Sequence, residues 1–128
     1  MGHSRILVDT SVFIEFLRKH NKTNTELFKI PDSVIISIST VTLFELFAGA
    51  IDEHKWQDIK ELTEDLPVIP FSKEISENAA KIFLKLRKKN KLIEFRDIFI
   101  AATAMTNGIP VKTLNKKHFG RIDDLIVL

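Results

Sequence analysis

The sequence predicts an α/β fold, a three-layer sandwich in which a central parallel sheet of four to five short strands carries helices on both faces. Three observations predict it. Short apolar runs recur at Arg5–Asp9, Val34–Ile38, Pro67–Phe71, Pro110–Thr113 and Leu125–Leu128, each of strand length. Stretches of helical periodicity separate them, and alternation of this kind builds parallel sheets. Apolar residues make up 45% of the 128 residues and charged ones 28%, enough to cover strands on both faces.

The elements follow in order. Ile6-Leu-Val8 ends at Asp9, and Thr10 or Ser11 is placed to cap a helix running to about Lys19. Thr25–Phe28 suggests a short helix before the Pro31-Asp32 turn. Val34–Ile38 is the second strand, and Ser39 or Thr40 caps a helix reaching about Glu53. Another helix covers Trp56–Leu66. Pro67–Phe71 is a third strand, marginal because of its two prolines. Ser72 opens a capping-box-like start for a helix to about Lys89. A helix over Ile93–Thr106 stops at Asn107-Gly108. Pro110–Thr113 and Leu125–Leu128 complete the strands. No repeat, low-complexity tract or linker divides the chain, so residues 1–128 read as one domain, with Met1–Ser4 compatible with a cloning remnant.

Composition narrows the function. The chain has no Cys, which excludes disulfides and thiolate metal sites and fits a reducing, cytoplasmic setting. No apolar run reaches the roughly 20 residues that span a bilayer, so no membrane role is expected. Charge is uneven: residues 1–71 hold 7 basic and 11 acidic side chains, residues 72–128 hold 12 and 6. The basic second half suggests a polyanionic partner.

In parallel sheets ligands gather beyond the C-terminal strand ends, which turns attention to Asp9, Ser37–Ser39 and Thr113–Asn115. Asp9 serves equally as a helix cap or a ligand. Glu45 lies in a helix so apolar that its carboxylate needs a partner. Asp97 stands in the first turn of its helix, where the dipole favours it, and at the rim of the stripe Ile98, Ala101, Ala102, Met105. Asn115 follows the fourth strand, a common turn position. Together, carboxylates across parallel strand ends repel one another without a cation, and hard divalent ions prefer such oxygen donors.

The four segments around these residues resemble the motifs of the PIN-domain family. Ile6-Leu-Val-Asp-Thr-Ser-Val-Phe-Ile14 resembles the first, Thr42-Leu-Phe-Glu-Leu-Phe-Ala-Gly49 the second, Arg96-Asp-Ile-Phe-Ile-Ala-Ala-Thr-Ala104 the third and Val111-Lys-Thr-Leu-Asn-Lys-Lys-His-Phe119 the closing segment. The third and closing segments look most like the VapC toxins. The resemblance implies a Mg²⁺- or Mn²⁺-dependent ribonuclease, often a homodimer, restrained by a small antitoxin protein. By motif position Asp9, Glu45 and Asp97 are its metal-facing acids, Ser11 and Thr113 supporting hydroxyls, and Asn115 stands where many members carry a fourth acid. Arg96, Lys112, Lys116, Lys117 and Arg121 are candidates for RNA contact by their nearness to that site. His118 is read as a capping or packing residue. The basic run Lys85–Lys91 is read mainly as dipole complementation at a helix end. Two alternatives are kept: a metal-poor binding module of the same fold, supported by Asn115, and a receiver-like Mg²⁺-binding signalling domain, opposed by Ser72-Lys73 after the third strand.

Overall fold

The computed structural model describes residues 3–128; Met1 and Gly2, part of the segment compatible with a cloning remnant, lie outside the described residues. The elements are β1 (Arg5–Val8), α1 (Thr10–Arg18), β2 (Ile35–Ser39), α2 (Thr40–Ala48), α3 (Glu53–Thr63), β3 (Val68–Ile69), α4 (Lys73–Lys88), α5 (Phe95–Thr106), β4 (Val111–Lys112) and α6 (Lys116–Phe119).

The strands form one sheet in the order β3-β2-β1-β4, every neighbouring pair parallel. The chain builds outward from β1 through β2 to β3, then crosses back to place β4 on the other side of β1. The reversal leaves a crevice between the C-terminal ends of β1 and β4. Side chains alternate across β1. Ile6 and Val8 join Val12, Phe13, Ile38, Leu46 and Ile59 in one buried cluster. Leu7 joins Ile75, Ala79, Ile98, Ala101 and Val111 in the other. The period of two thus hands α1 and α3 one face and α4 and α5 the other. Small residues at Ala101, Ala102 and Ala104, all fully buried, let α5 lie close to its neighbours. Ile98 and Ile100 on the same helix, each 1% exposed, contribute on the order of 1.5–3 kcal/mol apiece by burial.

Several boundaries differ from the sequence expectation, each for a local reason. Asp9 caps α1 in place of Thr10 or Ser11, in extended backbone with its side chain turned to the helix start. Thr25–Phe28 is a turn following a 3₁₀ turn at Lys22–Asn24. Thr25 Oγ1 donates to the Lys22 carbonyl at 2.6 Å and accepts weakly from the Phe28 N–H at 3.4 Å, which replaces helical bonding. The helix expected to reach Glu53 ends at Ala48, because Gly49 caps it and Asp52 is used to start α3, accepting from the Lys55 N–H at 2.8 Å. Leu125–Leu128 is reduced to a single parallel bridge, Val127 to Val111. Gly108, at φ 63°, ends α5 in the left-handed conformation that favours glycine.

Candidate active site

Asp9 is the centre of the crevice. Its carboxylate is 3% exposed, and Oδ2 accepts from Ser11 Oγ at 2.7 Å and Thr113 Oγ1 at 2.8 Å. Each hydroxyl passes the polarity on. Ser11 Oγ accepts from the Leu114 N–H at 3.1 Å, and Thr113 Oγ1 from the Asn115 N–H at 2.9 Å. The loop after β4 is therefore tied to the end of β1 through two hydroxyl side chains that both donate to Asp9. Among the described residues every hydrogen bond to Asp9 falls on Oδ2, which leaves Oδ1 for a further ligand.

Asp97 enters from the first turn of α5. Burial pushes its carboxyl up to about 6, and the negative charge of Asp9 adds to the effect; Arg96 and His118 pull in the opposite direction, while Glu94 adds a further upward push. Two carboxylates are thus held near each other in a partly desolvated crevice. His118 Nδ1 lies 3.8 Å from Asp97 Oδ2 and 2.8 Å from Asn115 Nδ2, so Asn115 and His118 form a polar pair beside the acids.

Glu45 reaches the crevice from α2, which Ser39 caps by accepting the Thr42 N–H at 3.0 Å. Glu45 Oε1 accepts from Thr10 Oγ1 at 2.8 Å, and Oε2 pairs with Arg96 Nη1 at 3.1 Å. Arg96 Nη2 reaches Glu94 Oε2 at the same distance. The expected three-acid group is therefore not gathered at one point. Among the described residues no three His, Cys, Asp or Glu side chains stand close enough to hold a metal ion together. The physical reason is charge: Glu45 is neutralised by Arg96, while Asp9 and Asp97 are close enough for the charge of one to act on the other. Those two acids suit a hard divalent cation by donor type and by their mutual repulsion.

The basic candidates separate. Lys116 and Lys117 are exposed on α6, next to Asn115. Arg96 is exposed but engaged by two carboxylates. Lys112 is not open to a ligand: it pairs with Glu26 at 3.0 Å with its side chain 17% exposed, and holds the Glu26 carboxyl below the usual range. Arg121, expected beside the acids, instead lines a groove along α4. Thr10 was read only as a cap, yet its hydroxyl orients Glu45; its place directly after Asp9 was the available signal.

This frame of crossover topology and hydroxyl-braced acids agrees with the comparisons. The PIN-domain family model matches residues 6–125. Ribonuclease VapC1 of Methanocaldococcus jannaschii is 34% identical over 122 residues, covering 94% of this chain and 83% of that protein. The structure of VapBC-1 from nontypeable Haemophilus influenzae superposes with a TM-score of 0.83 at 26% identity, covering 97% and 96% of the two chains. A toxin-antitoxin complex from Klebsiella pneumoniae gives 0.73 at 26% identity, covering 94% and 95%. The chain belongs to the PIN-domain family and, within it, to the VapC ribonucleases. The receiver-like alternative falls with that assignment.

Proposed function

We propose that this PIN-domain ribonuclease is the toxin of a toxin–antitoxin pair and hydrolyses RNA phosphodiesters at the Asp9–Asp97 crevice with a divalent cation, Mg²⁺ or Mn²⁺. The observation that supports the site most is the Asp9 carboxylate braced by Ser11 and Thr113 with Asp97 raised to about 6 beside it. Asp9 and Asp97 would hold the cation, and Glu45, paired here with Arg96, would be the third acid available to it. Bound there, the cation supplies an activated water and charge neutralisation at the phosphate. Ser11 and Thr113 hold the Asp9 carboxylate in place. Asn115 contributes a neutral oxygen in place of a fourth charge. Arg96, once released by Glu45, and the exposed Lys116 and Lys117 attract the substrate's phosphates.

The small antitoxin partner rests on the Klebsiella pneumoniae likeness. A homodimer is supported by an aromatic surface in which Phe44 is 72%, Phe95 62% and Phe71 38% exposed, with Phe71, Phe99, Phe95 and Phe83 in successive ring contact and Phe44 lining one pocket with Phe71 and Phe99. Among the described residues no helix is long and apolar enough to cross a membrane, which is compatible with a cytoplasmic enzyme. The test is cleavage of a labelled RNA with Mg²⁺ or Mn²⁺ and with EDTA, for wild type and Asp97→Asn. Cation-dependent cleavage lost in the variant supports the reading; equal cleavage by the variant sinks it.

A further inference from the structure

A second basic surface lies on α4, on a different side of that helix from the aromatic one. Lys81, Lys85 and Lys88 follow one another at spacings of four and three residues, which puts them on one face of the helix, about 4.5–6 Å apart along its axis. That interval is of the order of the step between phosphates in a nucleic-acid strand. The face borders a groove of about 670 Å³, bounded by α4, Met105 near the end of α5 and the segment 121–124. Lys89 and Arg121 join the three lysines on its walls.

Asp123 gathers two of these cations. Asp123 Oδ2 lies 2.7 Å from Lys89 Nζ and 3.7 Å from Lys85 Nζ. Arg121 Nη1 donates to the Leu92 carbonyl at 3.1 Å, which fixes the guanidinium and leaves its other N–H groups for an acceptor. Lys81 and Lys88 are exposed and form no ion pair among the described residues. Five cations against Asp123 and Asp124 leave the groove net positive, around an apolar part formed by Ile82, Leu86, Met105 and Ile122.

The groove also leads to the acids. Its Lys89 wall is joined to Arg96 and Asp97 by the short segment 90–94, and Arg121 is one turn of chain beyond His118, with the Arg121 N–H on the His118 carbonyl at 3.1 Å. The Lys89–Arg121 end of the groove is therefore the end joined most directly to the residues of the acid site.

We infer that this α4 groove is a docking surface for the phosphate backbone of the RNA substrate, which binds the strand outside the cleaved bond without reading its sequence. The inference rests on the ribonuclease reading above. The groove holds no aromatic side chain on which bases stack, so the recognition is electrostatic and salt-sensitive.

The decisive variant is the double change Lys81→Gln/Lys88→Gln, both on the surface and outside the acid site. Binding of a labelled single-stranded RNA long enough to reach from the groove to the acid site is followed by fluorescence anisotropy across a salt series, with Asp97→Asn present in both proteins to prevent cleavage. Two lost phosphate contacts make the slope of log K against log salt shallower by about 1.4 and weaken binding roughly tenfold at moderate salt. In the Asp97 background otherwise intact, kcat/KM on long RNA falls similarly, while cleavage of a dinucleotide substrate is unchanged. An unchanged slope with normal cleavage of long RNA by wild type overturns the groove and leaves the ribonuclease reading standing. Failure of wild type to cleave either substrate overturns both. If the double variant loses binding to poly-glutamate but keeps RNA affinity, the groove is an acidic-protein site and the inference is wrong.

Discussion

Replacing Asp97 by Asn tests the electrostatics of the crevice in a way that activity alone does not. In the cation-free protein the Asp97 carboxyl stands at about 6, where 3.8 is usual. Holding it ionised at neutral pH costs up to about 3 kcal/mol relative to the unfolded chain. Because the group sits at the rim of the crevice and keeps some contact with water, about 1–3 kcal/mol is the expected range. The raised value means the folded state binds the proton more tightly. Asp97 therefore favours folding most below about pH 4, and that contribution is lost as the pH rises through about 6. Asn has no such dependence and nearly the same shape. Asp97→Asn should then melt higher than wild type in EDTA at pH 7.5, by roughly 3–10 °C for a domain of this size, while losing most RNA cleavage. The gap should close toward pH 4, and added Mg²⁺ should narrow it at pH 7.5 by stabilising only the wild type. Differential scanning fluorimetry over pH 4–8, with and without Mg²⁺, reads all of this. A variant that melts at or below wild type at pH 7.5 in EDTA, or a gap independent of pH, refutes the argument that burial and Asp9 strain Asp97.

Thr113→Val removes the 2.8 Å bond to Asp9 and the acceptor of the Asn115 N–H; it should lower stability by about 1–3 kcal/mol in urea unfolding and weaken cation binding measured by calorimetry. Asn115→Asp adds a charge beside His118 and Asp97 and should lower the half-saturating cation concentration about fivefold, on the order of 1 kcal/mol. Asn115→Ala should cost less activity than Ala at Asp9 or Asp97; an unchanged titration for Asn115→Asp together with full activity for Asn115→Ala would reduce Asn115 to a turn residue. Gly108→Ala forces a side chain into φ 63° and should cost roughly 1 kcal/mol, seen as a lower denaturation midpoint with unchanged slope.

What the sequence by itself determined is what local chemistry controls. Short apolar runs marked Ile6–Val8 and Ile36–Ile38 as strands, and periodicity with caps such as Ser39 and Ser72 started α2 and α4. Asp9 and Thr113 were readable because the end of a parallel strand has a fixed place in the sheet, and their motif spacing carried the family. Tertiary structure alone decided how charge is shared among them. That Arg96 takes Glu45, that Lys112 is spent on Glu26 and that Arg121 joins Lys81 and Lys88 beside α4 depends on bringing together residues 33 to 86 positions apart. Residue type and helical phase do not encode such contacts. An ionised side chain pairs with whichever opposite charge the packed elements bring within a few ångströms, and only the folded chain sets those distances.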